Sequence, residues 1–309
     1  MQGKIRTILK DIDPAELGFT MSHEHILDDP RVGGYMDMEH VLDDYDKGLE
    51  MLNIYKEAGG NAIVEASPKH WGRNTEGMAQ LSAESGIHII CCTGYLCESQ
   101  VDMDTWVEGK SIEDLKQEMI DEIENGMDGT EYKAGWIKVG TSYNYISPRE
   151  ERILRAAARA SLITGAPVHS HTSTGTMGLE QIAILEEEGL DMSHFCVAHV
   201  SRNPDHYYHK KMLEHGVYLL YDGPGKPKYY TDETLIDLLR KLVNDGYADR
   251  ILLSNDMGKK THHTVYGYGP GLTYISNKFL PRLLDEGFPE EAVRMFMVDN
   301  PARFYTMYK

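Results

Sequence analysis

The most informative stretch of the chain is Gly18-Phe19-Thr20-Met21-Ser22-His23-Glu24-His25-Ile26, in which a short run typical of a β-strand ends in two histidines. Alternate residues of an extended chain point to the same side, so the imidazoles of His23 and His25 can reach one metal ion. A single histidine after a strand is usually a hydrogen-bonded structural residue. The spacing of this pair instead has a geometric explanation in metal binding.

Seven further short runs with strand character follow, and longer amphipathic segments separate them. The eight predicted strands are residues 18–22, 61–66, 87–93, 135–139, 167–170, 195–198, 217–221 and 251–254. Strands that alternate with helices indicate parallel β/α units, which an open doubly wound sheet or a closed (β/α)8 barrel would satisfy equally well.

Several segments between the strands carry helix boundary signals. Ser147-Pro148-Arg149-Glu150 supplies a capping serine, a proline at the first helical position and an early acid, and Gly165 would end that helix. Thr231-Asp232 begins another helix, which ends at Gly246, and Ser111-Ile112-Glu113-Asp114 has the pattern of a capping box. No linker or low-complexity tract divides the chain, so residues 1–309 are expected to form a single domain.

More residues of the kinds that bind metals follow other predicted strands. Lys138 ends the fourth strand, His169 and His171 end the fifth, His199 ends the sixth and Asp256 follows the eighth. In a β/α barrel these carboxyl ends meet at one mouth, where the active site lies. Asp256 alone could cap a helix, and a lysine in an apolar run usually pairs with a carboxylate or extends to solvent. The joint pattern indicates a metal site better than any one member does.

These residues lie in motifs that resemble those of the phosphotriesterase family, in the amidohydrolase superfamily. Besides the first stretch, the matching segments are Ile137-Lys138-Val139, Pro167-Val168-His169-Ser170-His171-Thr172, Val197-Ala198-His199, Ile251-Leu252-Leu253-Ser254-Asn255-Asp256 and Asn300-Pro301-Ala302-Arg303-Phe304. They occur in the family's order from about residue 18 to residue 304. The resemblance favours the closed (β/α)8, or TIM, barrel with a two-metal centre at its C-terminal mouth.

The resemblance also implies a role for each candidate ligand. His23, His25 and Asp256 would hold the more buried metal ion, and His171 and His199 the more exposed one. Two divalent ions about 3.5–4 Å apart can share a hydroxide as the nucleophile, and one of them can polarise the bond to be hydrolysed. Asp256 would take the proton of that nucleophile and pass it on.

Lys138 would be carboxylated by CO2 and would bridge both ions as a carbamate. This reaction needs a neutral amine, which apolar surroundings favour. His169 would then either contact the pocket or pack in the structure. Zn2+ suits the ligand types best, and Mn2+, Co2+ and Fe2+ are alternatives.

The loops after the seventh and eighth strands are expected to bind the substrate, because barrel phosphate sites often form there. The predicted phosphate-binding residues are Lys226, Lys228, Tyr229 and Lys259, although a lysine near a turn can also be a solvated surface charge. Tyr95, after the third strand, and Arg73, after the second, are expected to line the pocket or else to pack and pair locally.

These loops resemble the branch of the family that opens phosphorylated sugar γ-lactones. The matching patterns are Gly-x-x-Lys-x-Lys-Tyr at residues 223–229 and Tyr-Gly-Tyr-Gly-Pro-Gly at residues 266–271. That branch tends to have an arginine where Lys259 stands and aromatic residues where His262 and His263 stand. The predicted function is a metal-dependent lactonase. The alternatives are a hydrolase of phosphotriesters, phosphodiesters or phosphonate esters, and a metal-binding regulatory protein that has kept the barrel.

Composition restricts the partners. The formal net charge of −18 disfavours nucleic acid, whereas a small anionic, phosphorylated substrate needs only a few local cations. The four cysteines, Cys91, Cys92, Cys97 and Cys196, form neither a C-x-x-C pair nor a disulfide framework. No apolar run is long enough for a membrane span. A cytoplasmic protein is expected, and a homodimer is compatible with this class of barrel.

Overall fold

The computed structural model describes residues 2–309 and contains eleven β-strands. They are β1 (Ile5–Arg6), β2 (Asp11–Ile12), β3 (Thr20–Glu24), β4 (Ala62–Glu65), β5 (His88–Ile90), β6 (Cys92–Gly94), β7 (Trp136–Thr141), β8 (Val168–Thr172), β9 (Phe195–Val197), β10 (Tyr218–Tyr221) and β11 (Ile251–Leu253). The first two form a short antiparallel hairpin, and the other nine pair in parallel.

The parallel strands close into a barrel. One sheet has the order β11-β10-β9-β8-β7-β6 and the other the order β3-β4-β5. Cys91 alone separates β5 from β6, so the two sheets are continuous on that side. On the other side, the hydroxyl of Ser254, after β11, accepts a hydrogen bond from the backbone N–H of His23 in β3. The predicted (β/α)8 barrel is therefore confirmed, and the open doubly wound sheet is wrong.

Helices follow the barrel strands and pack outside them. They are α1 (Tyr45–Glu57), α2 (Thr75–Ser85), α3 (Met103–Trp106), α4 (Ile112–Glu124), α5 (Pro148–Thr164), α6 (Gly178–Glu187), α7 (His206–Leu213), α8 (Asp232–Asn244), α9 (Leu280–Asp285), α10 (Glu290–Arg294) and α11 (Asn300–Phe304). Two π-helical segments span Ile275–Phe279 and Met295–Asp299. None of the helices within residues 2–309 is both long and apolar enough to cross a membrane.

The predicted helix boundary signals are present. The Ser147 hydroxyl accepts a hydrogen bond from the Glu150 backbone N–H (3.1 Å), and the Glu150 carboxylate accepts one from the Ser147 N–H (2.9 Å). Gly165 ends α5 in the left-handed conformation, at φ +79°. Ser111 and Thr231 cap α4 and α8 in the same way through their hydroxyls.

Two details of the strands differ from the sequence-based prediction. The strand predicted over residues 87–93 is interrupted at Cys91, because β5 pairs with β4 whereas β6 pairs with β7. Lys138 lies within β7 and not at its end, because the pairing of β7 with β8 continues to Thr141.

An apolar cluster fills the barrel beneath the carboxyl ends. Its members on the strands are Ala62, Val64, Ile90, Cys92, Trp136, Cys196, Tyr218, Leu220 and Leu252, and Ala66 and Ala198 follow β4 and β9 directly. Ile5 and Ile12 of the β1–β2 hairpin join it, so the hairpin contributes to the core. Trp136 and Lys138 are two residues apart on β7 and therefore face the same interior. This register places the lysine amine above the apolar cluster.

Candidate active site

A cavity of about 250 Å³ opens at the carboxyl ends of the barrel strands. The six predicted metal ligands all line it, namely His23, His25, Lys138, His171, His199 and Asp256. The four predicted phosphate-binding residues, Lys226, Lys228, Tyr229 and Lys259, line the same cavity. The fold therefore brings both predicted sets into one space.

A chain of hydrogen bonds fixes the ring of His23. The Tyr305 hydroxyl donates to the Ser22 carbonyl (3.0 Å), so the Nδ1–H of His169 donates to the tyrosine oxygen (3.1 Å). The free Nε2 of His169 then accepts from Nδ1–H of His23 (3.3 Å). Nε2 of His23 is left with its lone pair toward the cavity. This chain gives His169 an orienting role that the sequence did not distinguish from packing.

His25 and His199 are oriented by the same principle. Ser67 donates its hydroxyl proton to Asp28 (3.1 Å), so Nδ1–H of His25 donates to the serine oxygen (2.7 Å). Nδ1 of His199 hydrogen-bonds the carboxylate of Asp222. In both rings Nε2 is the nitrogen that remains free for a ligand.

His171 presents its other ring nitrogen, Nδ1, as the free one. The Ser173 hydroxyl donates to the Thr141 carbonyl (2.9 Å), so Nε2–H of His171 donates to the serine oxygen (3.3 Å) and Nδ1 is free. The ring centroids of His171 and His199 are 4.5 Å apart.

The electrostatics keep these imidazoles in the form that binds metals. Burial lowers the pKa of His23, His171 and His199, and it lowers the pKa of His25 to about 4. Each ring is thus neutral and donates its outer N–H to the protein, which is the usual arrangement of a metal-binding histidine. One potential ligand atom each from His23, His25 and Asp256 lies within 4.8 Å of the others. The donor set therefore fits divalent metal ions.

Lys138 lies between these groups. Its Nζ donates to the Ala66 carbonyl (2.7 Å) and lies 3.3 Å from Nε2 of His23. Burial lowers the pKa of the amine, which favours the neutral form. A buried amine with a lowered pKa beside the histidines fits the expected reaction with CO2.

The two carboxylate oxygens of Asp256 face different partners. Oδ1 lies 3.5 Å from Nε2 of His25 and 3.9 Å from Nε2 of His23. Oδ2 accepts from Arg202 (2.6 Å) and from Lys226 (3.0 Å). Burial alone would raise the pKa of Asp256, but Lys226, His25 and Arg202 outweigh burial and hold the pKa well below its usual range. The carboxylate is therefore ionised, as a ligand requires.

The predicted phosphate-binding residues differ in how free they are. Lys226 is held by Asp256, and Lys259 donates to Asp37 (3.2 Å). Lys228 lies over the ring of Tyr229, with Nζ 4.5 Å from the centroid. Lys228 is thus the cation most available to an incoming anion.

Two predicted substrate residues are elsewhere. Arg73 is buried in an ion cluster, where it donates to Asp128 (2.8 Å), to the Cys92 carbonyl (2.7 Å) and to Glu122 (3.0 Å). The hydroxyl of Tyr95 donates to Glu118 and accepts from Lys110 (3.1 Å), and Tyr95 lines a second cavity. Within residues 2–309, neither side chain is part of the lining of the first cavity. The prediction that they line the pocket is corrected, since local pairing uses both polar groups.

Arg202 and Asp222 were not predicted. Arg202 hydrogen-bonds Asp256, and its guanidinium lies 4.8 Å from the ring centroid of Tyr229. Asp222 follows β10 as Asp256 follows β11, and this equivalent position could have identified it. The sequence contains no comparable signal for Arg202, because its contact with Asp256 spans 54 positions.

Two of the candidate ligands have left-handed backbone conformations that non-glycine residues rarely adopt. His199 has φ +63° and Asp256 has φ +51°. Such conformations cost on the order of 1–3 kcal/mol and cluster at functional sites. The local backbone is thus strained where the two side chains enter the cavity.

The barrel, its rim of oriented imidazoles and the buried lysine together define the class of metal-dependent β/α-barrel hydrolases. The sequence profile of the phosphotriesterase family matches residues 3–305. The chain belongs to this family, and the resemblance stated from its motifs is confirmed.

Individual relatives match over nearly their full lengths. The crystal structure of a lactonase from Listeria monocytogenes has a TM-score of 0.95 and 40% identity, and the match covers 99% of this chain and 100% of that one. The phosphotriesterase homology protein of Escherichia coli is 37% identical over 93% of this chain and 98% of its own. Its structure, with a TM-score of 0.90, was solved with phosphate in the active site. The phospho-furanose lactonase of Mycoplasmopsis synoviae is 33% identical, over 96% of this chain and 90% of the relative.

Proposed function

We propose that this protein is a two-metal hydrolase that opens the ring ester of a phosphorylated sugar γ-lactone. The observation that carries the proposal is that the candidate metal ligands and a group of cationic side chains line the same cavity. Relatives of similar length are named lactonases, one of them a phospho-furanose lactonase. The phosphate in the active site of the Escherichia coli relative supports an anion subsite at this rim.

His23, His25 and Asp256 would hold one divalent ion, and His171 and His199 the other. When bound, the ions would polarise the lactone carbonyl and lower the pKa of the attacking water. Zn2+ suits the imidazole and carboxylate donors, with Mn2+, Co2+ or Fe2+ as alternatives.

The amine of Lys138 would react with CO2 to form a carbamate, which would supply an oxygen donor for the metal ions. The lowered pKa of this buried amine supports the reaction, because only the neutral amine adds to CO2. The carbamate would place a negative charge where the imidazoles supply none.

The protein's own side chains would then move one proton. A bond forms between the water oxygen and the carbonyl carbon while Asp256 takes the proton from the water. The bond from that carbon to the ring oxygen breaks, and Asp256 returns the proton to this oxygen, so the product is an open hydroxy acid. Arg202 orients the carboxylate through Oδ2. Lys228, together with Lys226, would bind the substrate phosphate.

The test is a substrate panel measured on protein produced with zinc and bicarbonate. We expect kcat/KM to be highest for five-membered sugar lactones that carry a phosphate, lower for the same lactones without it, and lowest for aryl phosphotriesters. Faster hydrolysis of phosphotriesters or phosphodiesters would contradict the proposal, as would a preference for unphosphorylated lactones.

We propose that residues 1–309 form one domain and that the protein works in the cytoplasm, where its buried cysteines would stay reduced. Cys91, Cys92, Cys97 and Cys196 are free thiols in the structure, which supports a reducing compartment. A homodimer stays a prediction that sedimentation equilibrium can test.

A further inference from the structure

Glu24 ends β3 between two candidate ligands, His23 and His25, and the proposed reaction does not use it. Its side chain is fully buried, and the described residues that line the cavity do not include it. Burial raises the pKa of this carboxyl to about 7, and the donors around it limit the rise. A buried carboxylate without a cation partner is costly unless several donors satisfy it.

Four such donors surround Glu24, and all of them follow β11. Oε1 accepts from the Ser254 hydroxyl (2.7 Å), from the Asn255 N–H (2.8 Å) and from the Asp256 N–H (3.2 Å). Oε2 accepts from the Met257 N–H (2.8 Å). The Glu24 side chain thus accepts hydrogen bonds from three consecutive backbone amides of the turn that contains Asp256.

These contacts lie at the seam of the barrel. β3 and β11 are neighbours but belong to separate sheets, so across residues 2–309 no regular ladder of backbone hydrogen bonds joins them. The Asp256 N–H is shared between Glu24 and the His23 carbonyl (3.1 Å), and the Ser254 hydroxyl contacts the same carbonyl. Glu24 supplies the other bonds across the seam. Side-chain hydrogen bonds therefore join β3 to β11, whereas backbone hydrogen bonds join the paired strands of the barrel.

We propose that Glu24 is the positioning residue for Asp256, which it acts on through the backbone of the turn over residues 255–257. Asp256 adopts φ +51° there, a conformation that needs external support. The carboxylate supplies that support by accepting from both sides of Asp256. Glu24 thereby fixes the distance between the carboxylate of Asp256 and the imidazoles of His23 and His25. The inference rests on the proposed function only in treating Asp256 as a metal ligand and proton carrier.

The isosteric variant Glu24→Gln tests this role. A glutamine keeps the volume but presents an N–H2 group to one or more backbone N–H donors, so at least one bond is lost. We expect hydrogen exchange of the amides of residues 255–257 to become about tenfold faster in metal-free protein. This readout does not depend on metal or substrate.

Two further measurements connect the turn to the site. Competition with a chelator is expected to show that the variant holds zinc about tenfold more weakly, since outer partners of metal ligands have effects of this size. On the lactone phosphate that the wild type prefers, we expect kcat to fall about tenfold and KM to change little, because Lys228 is untouched.

Glu65→Gln is the matched control. Glu65 is also a fully buried glutamate at the end of the neighbouring strand β4, and it accepts from the Ser67 N–H. This variant is expected to leave exchange at residues 255–257 unchanged. Faster exchange in both variants alike would show general loosening of the barrel and overturn the positioning role.

Other outcomes separate this inference from the proposed function. Wild-type exchange and zinc affinity in Glu24→Gln would overturn the positioning role even if the enzyme is a lactonase. A wild type without lactonase activity would overturn the function, while the exchange data would still decide the role of Glu24 in the turn. Should Glu24→Gln fail to fold, Ser254→Ala removes one of the four donors and should speed exchange at residues 255–257 about threefold. Unchanged exchange there would count against the inference.

Discussion

Single side chains set the chemistry of the rim. The hydrogen bonds of Ser67, Ser173 and Asp222 determine which nitrogen of each imidazole is free, and Tyr305 does so for His23 through His169. These partners come from different strands and loops. The orientation of each candidate ligand is therefore a property of the folded barrel.

The variant Asp256→Asn tests the proton-carrying residue. We expect the barrel to fold and turnover on the preferred lactone to fall about 10²–10⁴-fold, the usual range for an acid–base residue. Circular dichroism and steady-state kinetics with saturating zinc give both readings. Kinetics close to those of the wild type would remove Asp256 from this role.

Lys226 and Lys228 are expected to behave differently when each is changed to Met. Lys228→Met should raise KM for phosphorylated lactones about tenfold and leave kcat unchanged, because the ammonium group of Lys228 contributes only to substrate binding. Lys226→Met should also lower kcat, since Lys226 contacts Asp256 (3.0 Å). KM for the unphosphorylated lactone serves as the control and should not change in Lys228→Met. An equal rise for both substrates would argue against a phosphate subsite.

The sequence reveals some of these residues because strand periodicity and position alone indicate them. His23 and His25 share a spacing that predicts a common face, and Asp256 follows a strand end. Arg73 has the same kind of position, but its role depends on Glu122 and Asp128, which lie about fifty residues away. No local pattern distinguishes a pocket arginine from one in a buried ion pair.

At the scale of elements, the first turn of α5 forms hydrogen bonds with two loops of the rim. The Glu150 carboxylate in the first turn of α5 accepts from the Ser142 hydroxyl (2.7 Å) and from the Glu98 N–H (3.1 Å). One capping box thus connects the helix to the loops after β6 and β7. The sequence predicted the capping serine and the early acid of this helix, while the contacts of Glu150 with Ser142 and Glu98 needed the fold.

The variant Ser147→Ala measures this cap. Ser147 is buried, so we expect the free energy of unfolding to fall by about 1–2 kcal/mol. Urea unfolding gives the value. Ser111→Ala removes the equivalent cap of α4, which is exposed, and should cost less, about 0.5–1 kcal/mol. Equal costs would show that burial of the cap does not matter.

The ion cluster of Arg73 connects the loop after β4 to α4. We expect Arg73→Met to reduce the free energy of unfolding by about 3 kcal/mol, because two partly buried carboxylates and the Cys92 carbonyl lose their donor. Arg294→Met, in an exposed pair with Asp299, is the control and should change stability by less than about 0.5 kcal/mol.

The pH dependence gives a second check of that cluster. Burial raises the pKa of Asp128, but Arg73 outweighs burial and the net pKa is lowered. Because the pKa of Asp128 is lower in the folded protein, the ionised carboxylate stabilises the fold at pH values above its unfolded pKa, near 3.8. This stabilisation is lost as the pH falls below that value and through the folded-state pKa. The difference between wild type and Arg73→Met should therefore shrink in that acidic range. A constant difference would contradict the ionic origin.

At the scale of the whole molecule, charge is distributed unevenly. The chain carries a formal net charge of −18, yet Arg202, Lys226, Lys228 and Lys259 all line one cavity. Long-range repulsion would slow an anionic substrate, and the local cations would capture it at the rim. The net charge can be counted from the sequence, whereas the clustering of positive charge at this cavity is visible only in the folded structure.

Metal removal is the prediction for the molecule as a whole. Dialysis against a chelator should abolish activity and lower Tm, because ions that bind only the folded state stabilise it by about 2.7 kcal/mol at a hundredfold excess over Kd. Zinc with bicarbonate should restore both, and zinc without bicarbonate should restore them less well. Full activity after chelation would contradict the two-metal mechanism.

The left-handed backbone at His199 and Asp256 implies a conflict between durability and catalysis. Glycine adopts this conformation without strain, so glycine at either position would relieve the strain and at the same time remove a candidate ligand. Laboratory evolution that selects for thermal survival alone would then be drawn to these two positions and would lose the enzyme's activity there. Selection for a more robust catalyst has to hold both residues fixed and gain its stability elsewhere in the barrel.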